Sequence, residues 1–161
     1  MTAEEFNKCV DLYSDSIYRF TLKMLKENSM AMDNVQDCFE RLWIKHREVD
    51  FKKAKSYLFT SAYHAAIDTI RKEKRKLEYA DSAIFESFTS NGYSDAKEIV
   101  AKAVEKLPDI QKSVLLLRDY EGYSYEEIGE ITGLSESQVK VYIYRARLFL
   151  KNQLVSIDNL I

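Results

Sequence analysis

The sequence predicts an all-α protein made of two small helical domains joined by a flexible linker, the second containing a helix-turn-helix. The first 91 residues contain neither glycine nor proline and repeat apolar side chains at helical spacing, which favours a helical bundle. Two capping boxes, Ser124 with Glu127 and Ser135 with Gln138, follow one another closely, with Gly133 between them. A short helix, a turn at glycine and a second helix are typical of a helix-turn-helix.

Three apolar stripes predict the helices of the first domain, residues 1–76. Within each stripe the apolar residues follow mainly spacings of three and four, so each marks the face that a helix turns toward the core. The stripes are Phe6, Val10, Tyr13, Ile17, Phe20 and Met24, then Val35, Cys38, Phe39, Leu42, Trp43 and His46, then Phe59, Ala62, Tyr63, Ala66 and Ile70.

Residues 77–95 lose this periodicity while Ser, Asp and Asn accumulate, which predicts the linker. The second domain, residues 96–161, is expected to hold four helices. Its first helix ends before Pro108, because the residue before a proline is disfavoured in the α conformation, and Pro108 suits the start of the next helix. That helix is expected to turn one apolar stripe inward, namely Ile110, Val114 and Leu117. Gly129, inside a short helix, predicts that another helix crosses closely there.

Composition excludes several classes of protein. A net charge of −2 over 161 residues argues against a wholly basic nucleic-acid binder, so the distribution of charge matters more than its sum. No apolar run approaches the roughly 18 residues of a membrane span, and no secretory signal is apparent, which predicts a cytoplasmic protein. Cys9 and Cys38 lack metal-site spacing and are expected to be reduced, partly buried thiols. His46 and His64 fit no metal motif, and no catalytic motif occurs. We therefore expect no enzyme, metal, cofactor or small-molecule substrate.

The last predicted helix carries the candidate surface for duplex DNA. The preceding helix and turn are acidic while the last helix is basic, and in a helix-turn-helix the second helix enters the major groove. Its inward residues are expected to be Val139, Ile143, Ala146 and Leu150. The candidate DNA-binding residues are Ser137, Gln138, Lys140, Val141, Tyr144, Arg145 and Arg147.

These side chains suit DNA by type. Lys140 and Arg145 can donate to guanine or to phosphates, while Val141 and Tyr144 can contact a thymine methyl. Arg147 better suits a phosphate. A structural alternative stands beside this interpretation, because basic residues near a helix C-terminus also suit the helix dipole, and the capping box alone would explain Gln138.

The first domain carries a second basic helix. Residues 71–76, RKEKRK, have five basic residues and one acidic residue, and the face opposite the apolar stripe adds aromatic and polar side chains. Cations with flat rings suit a single strand, although charge runs are usually solvated helix ends. The candidates are Tyr57, Ser61, His64, Arg71, Lys72 and Arg75.

An acidic surface lies on the second predicted helix. Its members, Asp33, Gln36, Asp37 and Glu40, lie away from the apolar stripe. Carboxylates in a first helical turn complement the helix dipole. They would equally receive arginines from a partner protein.

Three segments together resemble a known family. "DNVQDCFERLW", "YLFTSAYHAAIDTIRKEKR" and "AVEKLPDIQKSVLLLRDYEGYSYEEIGEITGLSESQVKVYIYRARLFL" are similar, in this order and spacing, to bacterial sigma factors of the extracytoplasmic-function group. The resemblance implies that residues 5–76 bind core RNA polymerase and open the −10 promoter element, and that residues 96–153 bind the −35 element as duplex.

The resemblance also assigns roles to the two surfaces of the first domain. Asp33, Gln36 and Asp37 would meet a coiled coil of the largest polymerase subunit. Residues 49–56 and the helix of residues 57–75 would hold the melted strand. His64 stands where the family usually has Asn and Tyr57 where it commonly has Trp, so strand capture departs from the family pattern there. The resemblance further implies control by a membrane-linked anti-sigma factor.

Two other functions remain open from the residues alone. A stand-alone helix-turn-helix regulator would explain the second domain but leave the acidic helix and the first basic helix without a role. A protein-interaction module, with the helix-turn-helix as a packing motif only, conflicts with the basic last helix.

Overall fold

Every regular element in the part of the chain that the structure describes is helical, which confirms the all-α prediction. The structure is a computed structural model, and it describes residues 1–79 and 96–158. The α-helices are α1 (Ala3–Leu25), α2 (Asn28–Ile44), α3 (Ala54–Tyr79), α4 (Ala96–Glu105), α5 (Asp109–Leu115), α6 (Tyr125–Thr132) and α7 (Glu136–Asp158). A 3₁₀ turn (Phe51–Lys53) precedes α3, and a π-helical turn (Leu116–Tyr120) extends α5.

Helices α1, α2 and α3 form the first bundle. Helix α1 begins with a capping box, in which Thr2 Oγ1 accepts from the Glu5 amide at 3.1 Å and the Glu5 carboxylate accepts from the Thr2 amide at 3.0 Å. It ends at Lys26 in the left-handed conformation, with φ of 65°. The Glu27 side chain then caps α2 by accepting from two backbone amides. Backbone donors at both helix starts are therefore satisfied locally.

The predicted stripe of α2 is wrong at its last two positions. Trp43 is 46% exposed, and His46 lies beyond the end of the helix at Ile44. The two rings stack at 4.3 Å between centroids, and a ring nitrogen of His46 lies 2.6 Å from the Trp43 carbonyl oxygen. Trp43 therefore covers the end of α2 instead of entering the core.

Helix α3 is longer than the predicted domain boundary allows. It continues to Tyr79, three residues into the segment predicted as the linker. Leu77 and Glu78 are good helix formers, so nothing local stops the helix at residue 76. The rest of the predicted linker, residues 80–95, lies outside the described residues.

The second bundle consists of α4 to α7. Pro108 is the N-cap of α5, and the first helix of this bundle ends before it. The inward position predicted for Ile110 is wrong, because this residue is 40% exposed while Val114 and Leu117 are fully buried. The sequence did not reveal the π-helical turn, which adds a residue to the turn and brings Leu116 into the core beside Leu117.

The two bundles pack directly against each other. Their buried apolar residues form one connected cluster, in which the Phe59 ring of α3 meets the Tyr123 ring edge to face at 5.1 Å. Arg19 of α1 donates two hydrogen bonds to the Glu121 carboxylate, at 3.0 and 2.9 Å. A further ion pair joins Lys74 to Asp109 at 3.0 Å. The interface therefore combines an apolar centre with charged pairs at its margin.

Candidate nucleic-acid interface

The helix-turn-helix forms as its two capping boxes predict. Ser124 Oγ accepts from the Glu127 amide at 3.1 Å, and the Glu127 carboxylate accepts from the Ser124 amide at 3.2 Å. Ser135 and Gln138 repeat the pattern at the start of α7, at 3.2 and 2.9 Å. Between the two helices, Gly133 takes φ of 79°, a left-handed conformation that costs glycine least.

Gly129 is required by the turn and not, as predicted, by a crossing helix. A Cβ atom at this position would lie 2.8 Å from the carbonyl oxygen of Leu134, which belongs to the turn itself. The close approach therefore folds the turn back onto α6 and sets the angle at which α7 leaves it. Sequence reasoning identified the steric requirement but assigned it to the wrong neighbour.

Helix α7 presents its predicted DNA-binding residues to solvent. Val139, Ile143 and Ala146 are buried, as predicted, and they fix the rotation of the helix about its axis. On the opposite side Val141 is 45% exposed and Tyr144 67% exposed. All seven candidates are exposed on the surface of α7: Ser137, Gln138, Lys140, Val141, Tyr144, Arg145 and Arg147.

Three of these candidates have a hydrogen-bond or ion-pair partner within the described residues. Arg147 donates to both carboxylate oxygens of Asp119, at 2.6 and 3.3 Å, and this pairing raises the pKa of its guanidinium. Lys140 lies 3.4 Å from the Glu136 carboxylate. Gln138 uses its side-chain oxygen in the capping box, which leaves its amide nitrogen as the donor available to DNA. Asp119, in the π-helical turn that follows α5, therefore holds Arg147 in place.

A shallow cavity of about 280 Å³ lies along the same face of α7. Ser137, Gln138, Val141 and Arg145 line it together with Tyr142. Sequence reasoning missed Tyr142, which is half-buried and whose ring lies 6.0 Å from the Arg145 guanidinium carbon. Only its position between Val141 and Ile143 could have indicated that it borders both the core and the DNA-facing side.

The predicted single-strand surface on α3 divides into two parts. Tyr57 and Ser61, near its N-terminal end, are half-buried, whereas His64 and the later candidates are exposed: Arg71, Lys72 and Arg75. The second bundle approaches the first part, where Lys55 lies 4.7 Å from the centre of the Tyr123 ring. The structure therefore does not leave all six candidates equally accessible.

The basic end of α3 also borders the second bundle. A cavity of about 380 Å³ separates Arg71 and Lys74 from Asp109 and Tyr142. The Lys74–Asp109 ion pair bridges the two sides of this gap. Cations predicted to follow a DNA strand thus face an acidic and aromatic surface of the same chain.

Helix α2 exposes its acidic candidates on one side. Asp33, Gln36, Asp37 and Glu40 are all exposed and recur at helical spacing. Large apolar side chains are exposed beside them, with Met32 at 50% and Ile44 at 72%. An apolar centre with charged neighbours is typical of a protein interface. Sequence reasoning missed the apolar part because it placed Trp43 in the core.

The thiols are more deeply buried than predicted. Cys9 and Cys38 are free, with exposures of 0% and 1%. In residues 1–79 and 96–158, no group of three His, Cys, Asp or Glu side chains is arranged to hold a metal ion. No helix among the described residues has the length and apolar run needed to cross a membrane.

The fold and its exposed basic helix define a helix-turn-helix protein built from two packed helical domains. A family model described as Sigma-70 region 2 matches residues 9–76, and one described as Sigma-70, region 4 matches residues 97–150. The ECF RNA polymerase sigma factor SigM of Bacillus subtilis is 33% identical over 156 residues, 94% of each chain. RNA polymerase sigma factor SigV of the same organism is 30% identical, over 93% of this chain and 91% of its own.

A solved structure agrees with these relatives. The sigma factor RpoE from Bartonella quintana, in complex with the anti-sigma factor NepR, matches with a TM-score of 0.80 and 25% identity, covering 94% of this chain and 98% of its own. The chain belongs to the sigma-70 family, in its ECF group, and is a promoter-specific initiation factor of RNA polymerase. Both halves match this family, which disfavours the stand-alone regulator.

Proposed function

We propose that α7 reads the −35 promoter element as duplex DNA while α3 holds the melted strand of the −10 element. The observation that carries this proposal is the exposed face of α7, where Lys140, Val141, Tyr144 and Arg145 stand together on the second helix of a helix-turn-helix. Two of these side chains donate hydrogen bonds and two offer apolar contact. Such a combination suits the base edges of the major groove.

Arg147 has a different role in this proposal. Its ion pair with Asp119 fixes the guanidinium beside α7, and two of its donors are already used. The remaining donors suit a phosphate, which positions the helix without reading sequence. The half-buried Tyr142 supports the Arg145 side chain from the core side.

Opening of the −10 element would use binding energy alone. Unstacking a base costs a few kcal/mol, and a prepared surface of cations and rings offsets this cost without breaking a covalent bond. On α3, His64 lies against the Tyr63 ring at 5.2 Å and is exposed. The exposed His64 ring offers the flat surface, with the buried Tyr63 ring behind it, and Arg71, Lys72 and Arg75 offer the cations.

Core RNA polymerase would bind the acidic face of α2. Its exposed carboxylates suit arginines of the polymerase, and the exposed Met32, Trp43 and Ile44 supply the apolar area that such an interface needs. The polymerase and the promoter place this activity in the cytoplasm. An anti-sigma factor, as in the RpoE–NepR complex, is the proposed regulator, and the family resemblance suggests that it is membrane-linked.

Co-purification with core RNA polymerase tests the proposal, followed by transcription from a library of promoter fragments. We expect the wild-type chain to bind core enzyme and to start transcription at a defined set of promoters. The double variant Asp33→Ala/Asp37→Ala should bind core enzyme more weakly, with unchanged helix content by circular dichroism. The matched control is Asp11→Ala/Asp15→Ala, two exposed carboxylates of α1.

Two results would contradict these assignments. Unchanged core affinity in the α2 variant, or an equal loss in the α1 control, would remove α2 as the polymerase contact. Absence of core binding by the wild-type chain would remove the polymerase-dependent mechanism altogether.

A further inference from the structure

A cavity of about 280 Å³ lies between the two bundles, away from both DNA-facing helices. Lys23 and Lys26 of α1 line one side, and Lys112 of α5 lines the other. Apolar parts of the wall come from Leu22 and Val104. Neither promoter recognition nor polymerase binding, as proposed above, uses these residues.

Lys112 is the unusual member of this group. It is only 3% exposed, and its ammonium has no hydrogen bond or ion pair with any residue in the described parts of the chain. Such burial is costly for a charge because it removes much of the surrounding water, and the carboxylates of Glu105 and Asp109 offset this cost only in part. The pKa of Lys112 is lowered to about 8, with burial as the largest cause and the positive charge of Lys26 as the next. The lysine is therefore still largely charged near neutral pH.

The other two lysines are held at the cavity wall by weak partners. Lys23 lies 3.4 Å above the centre of the Tyr120 ring, and Lys26 donates to the Glu105 carbonyl oxygen at 3.2 Å. Burial also lowers the pKa of Lys23, with the Arg19 charge as the next cause. Glu105 is the acidic residue of the wall, so the lining carries more positive than negative charge.

We propose that this cavity binds the phosphate group of a small molecule, with Lys23, Lys26 and Lys112 as its ligands. Lysine acts on phosphate as a compact point charge with three donors, and three such groups converge here from two helices. The phosphate would give Lys112 the ion-pair partner that the described residues do not supply. The apolar wall would accept the organic part of a phosphate ester, while free phosphate would use the lysines alone.

The size of the cavity favours a phosphate ester. Small-molecule sites have volumes of roughly 300 Å³ or more, and this cavity is near that lower limit. Lys26 and Lys112 also line a neighbouring cavity of about 320 Å³ on the side of α3. Because the lysines belong to different bundles, a bound phosphate would join the bundles.

Thermal unfolding of the full chain tests the site, with inorganic phosphate and phenyl phosphate as separate probes. Sodium chloride at the same ionic strength is the reference, because it screens charge without supplying a tetrahedral anion. We expect Tm to rise with the concentration of each probe and to level off as the site becomes saturated. Tighter binding of phenyl phosphate would identify an ester with an apolar part, and equal binding would identify free phosphate.

Lys112→Met keeps the length of the side chain and removes its charge. We expect this variant to bind the preferred probe about tenfold more weakly or worse, as for a lost hydrogen bond to a charged group. Without any probe its Tm should exceed that of the wild type, because an unpaired buried charge is gone. Lys8→Met, at an exposed lysine of α1, is the matched control and should bind as the wild type does.

Binding should also depend on pH. The charged groups that face Lys112 come from all the helices around it: Lys23 of α1, Lys26 at its C-cap, Lys74 and Glu73 of α3, Glu105 of α4 and Asp109 of α5. Phosphate binds the charged lysine, so affinity should fall as the pH rises through about 8, and Lys112→Met should lose this dependence.

A second variant keeps the test valid if Lys112→Met does not fold. Lys26→Met changes an exposed side chain and should also weaken binding of the probe. The proposal is overturned if neither probe raises Tm beyond the chloride reference. It is also overturned if a folded Lys112→Met or Lys26→Met binds as tightly as the wild type.

Discussion

Helices α7 and α3 both carry candidate DNA-binding residues, but the fold exposes them differently. On α7 the whole candidate face is open, with Tyr144 67% exposed. On α3 the first two candidates, Tyr57 and Ser61, are half-buried, and Tyr123 of the other bundle packs against the same helix. In this arrangement the helix proposed to read duplex DNA is open, whereas the helix proposed to hold the single strand is partly buried.

The difference arises from the immediate neighbours of each helix. Helix α7 is anchored from behind by α4, α5 and α6, so its outer face stays exposed although single side chains there, such as Arg147, are paired. Helix α3 is central to the first bundle and also supplies Phe59 to the interface between bundles. A helix that packs in the core and also at the interface between the bundles cannot keep all its faces exposed.

Loss of the side chains of α7 that are proposed to read bases should have the largest effect. Lys140→Ala/Arg145→Ala removes two donors from the open face, and each good base contact contributes about 1–3 kcal/mol of discrimination. We expect discrimination between promoters to be abolished while core binding is retained. Competition between a promoter duplex and mismatched duplexes measures the effect, and Lys151→Ala, an exposed lysine on the same helix, is the control. Equal loss of core binding would contradict the separate roles of the two domains.

The next largest effect is a loss of stability from a substitution in α6, beside the turn that precedes α7. Gly129→Ala places a Cβ atom 2.8 Å from the Leu134 carbonyl oxygen, so the turn must shift. The strain should exceed the gain in helix propensity and lower the free energy of unfolding by about 1–3 kcal/mol. Urea unfolding measures this loss, with Glu130→Ala as an exposed control in the same helix. A stability equal to that of the wild type would show that the turn adapts freely.

A smaller effect should follow from loosening the interface that covers α3. Arg19→Ala removes both hydrogen bonds to Glu121, whose side chain is only 5% exposed. If the packed arrangement limits access to α3, this variant should bind a single-stranded −10 oligonucleotide up to about fivefold more tightly, since such pairs contribute at most about 1 kcal/mol. Fluorescence anisotropy measures the affinity.

An ion pair within α4 provides the matched control for Arg19→Ala. Lys102→Ala removes an ion pair with Glu98 that does not cross the interface, so it should leave strand affinity unchanged. Tighter binding in both variants would point to a general charge effect. Unchanged binding in Arg19→Ala would show that the interface does not limit access to α3.

The smallest expected effect concerns the reactivity of Cys9 and Cys38. Both thiols lie in the first bundle, so their reactivity measures the folding of that bundle. Burial raises the pKa of Cys9 and raises that of Cys38 to about 11. Because the thiolate is favoured in the unfolded chain, the contribution of Cys38 to stability is complete below pH 9.0 and is lost as the pH rises through about 11. Near neutral pH we expect slow reaction with a maleimide, and rapid reaction after unfolding in urea.

Thiol labelling also tests whether the bundles are independent. Gly129→Ala should weaken the helix-turn-helix without speeding the labelling of Cys9 and Cys38. Faster labelling in that variant would show that the second bundle stabilises the first through their shared interface.

Much of this fold follows from local sequence signals. The capping boxes at Ser124 and Ser135, the glycine at the turn and the inward residues of α7 were predictable, because each depends on residues a few positions apart. The exposure of Ile110 and the π-helical turn after it were not, since one inserted residue per turn leaves no pattern in a single sequence.

The candidate site was predictable in composition but not in environment. Residue types indicated that Arg147 and Lys140 suit DNA, and the structure adds that Arg147 is already paired with Asp119. The contact of Phe59 with Tyr123 joins the bundles across more than 60 residues of sequence. Such long-range packing cannot be inferred from periodicity. The DNA and polymerase roles of individual residues stay predictions.

Tyr123 lowers the stability of the interface between the two bundles. The residue is 3% exposed, and its hydroxyl is buried without a hydrogen-bond partner in residues 1–79 and 96–158. A buried hydroxyl of this kind forfeits the water that would otherwise solvate it, at a cost of about 1–3 kcal/mol. Separation of the bundles would return that water and offset part of the apolar area lost. The interface between the bundles is therefore stable when formed, but its separation costs less free energy than its buried apolar area alone would indicate.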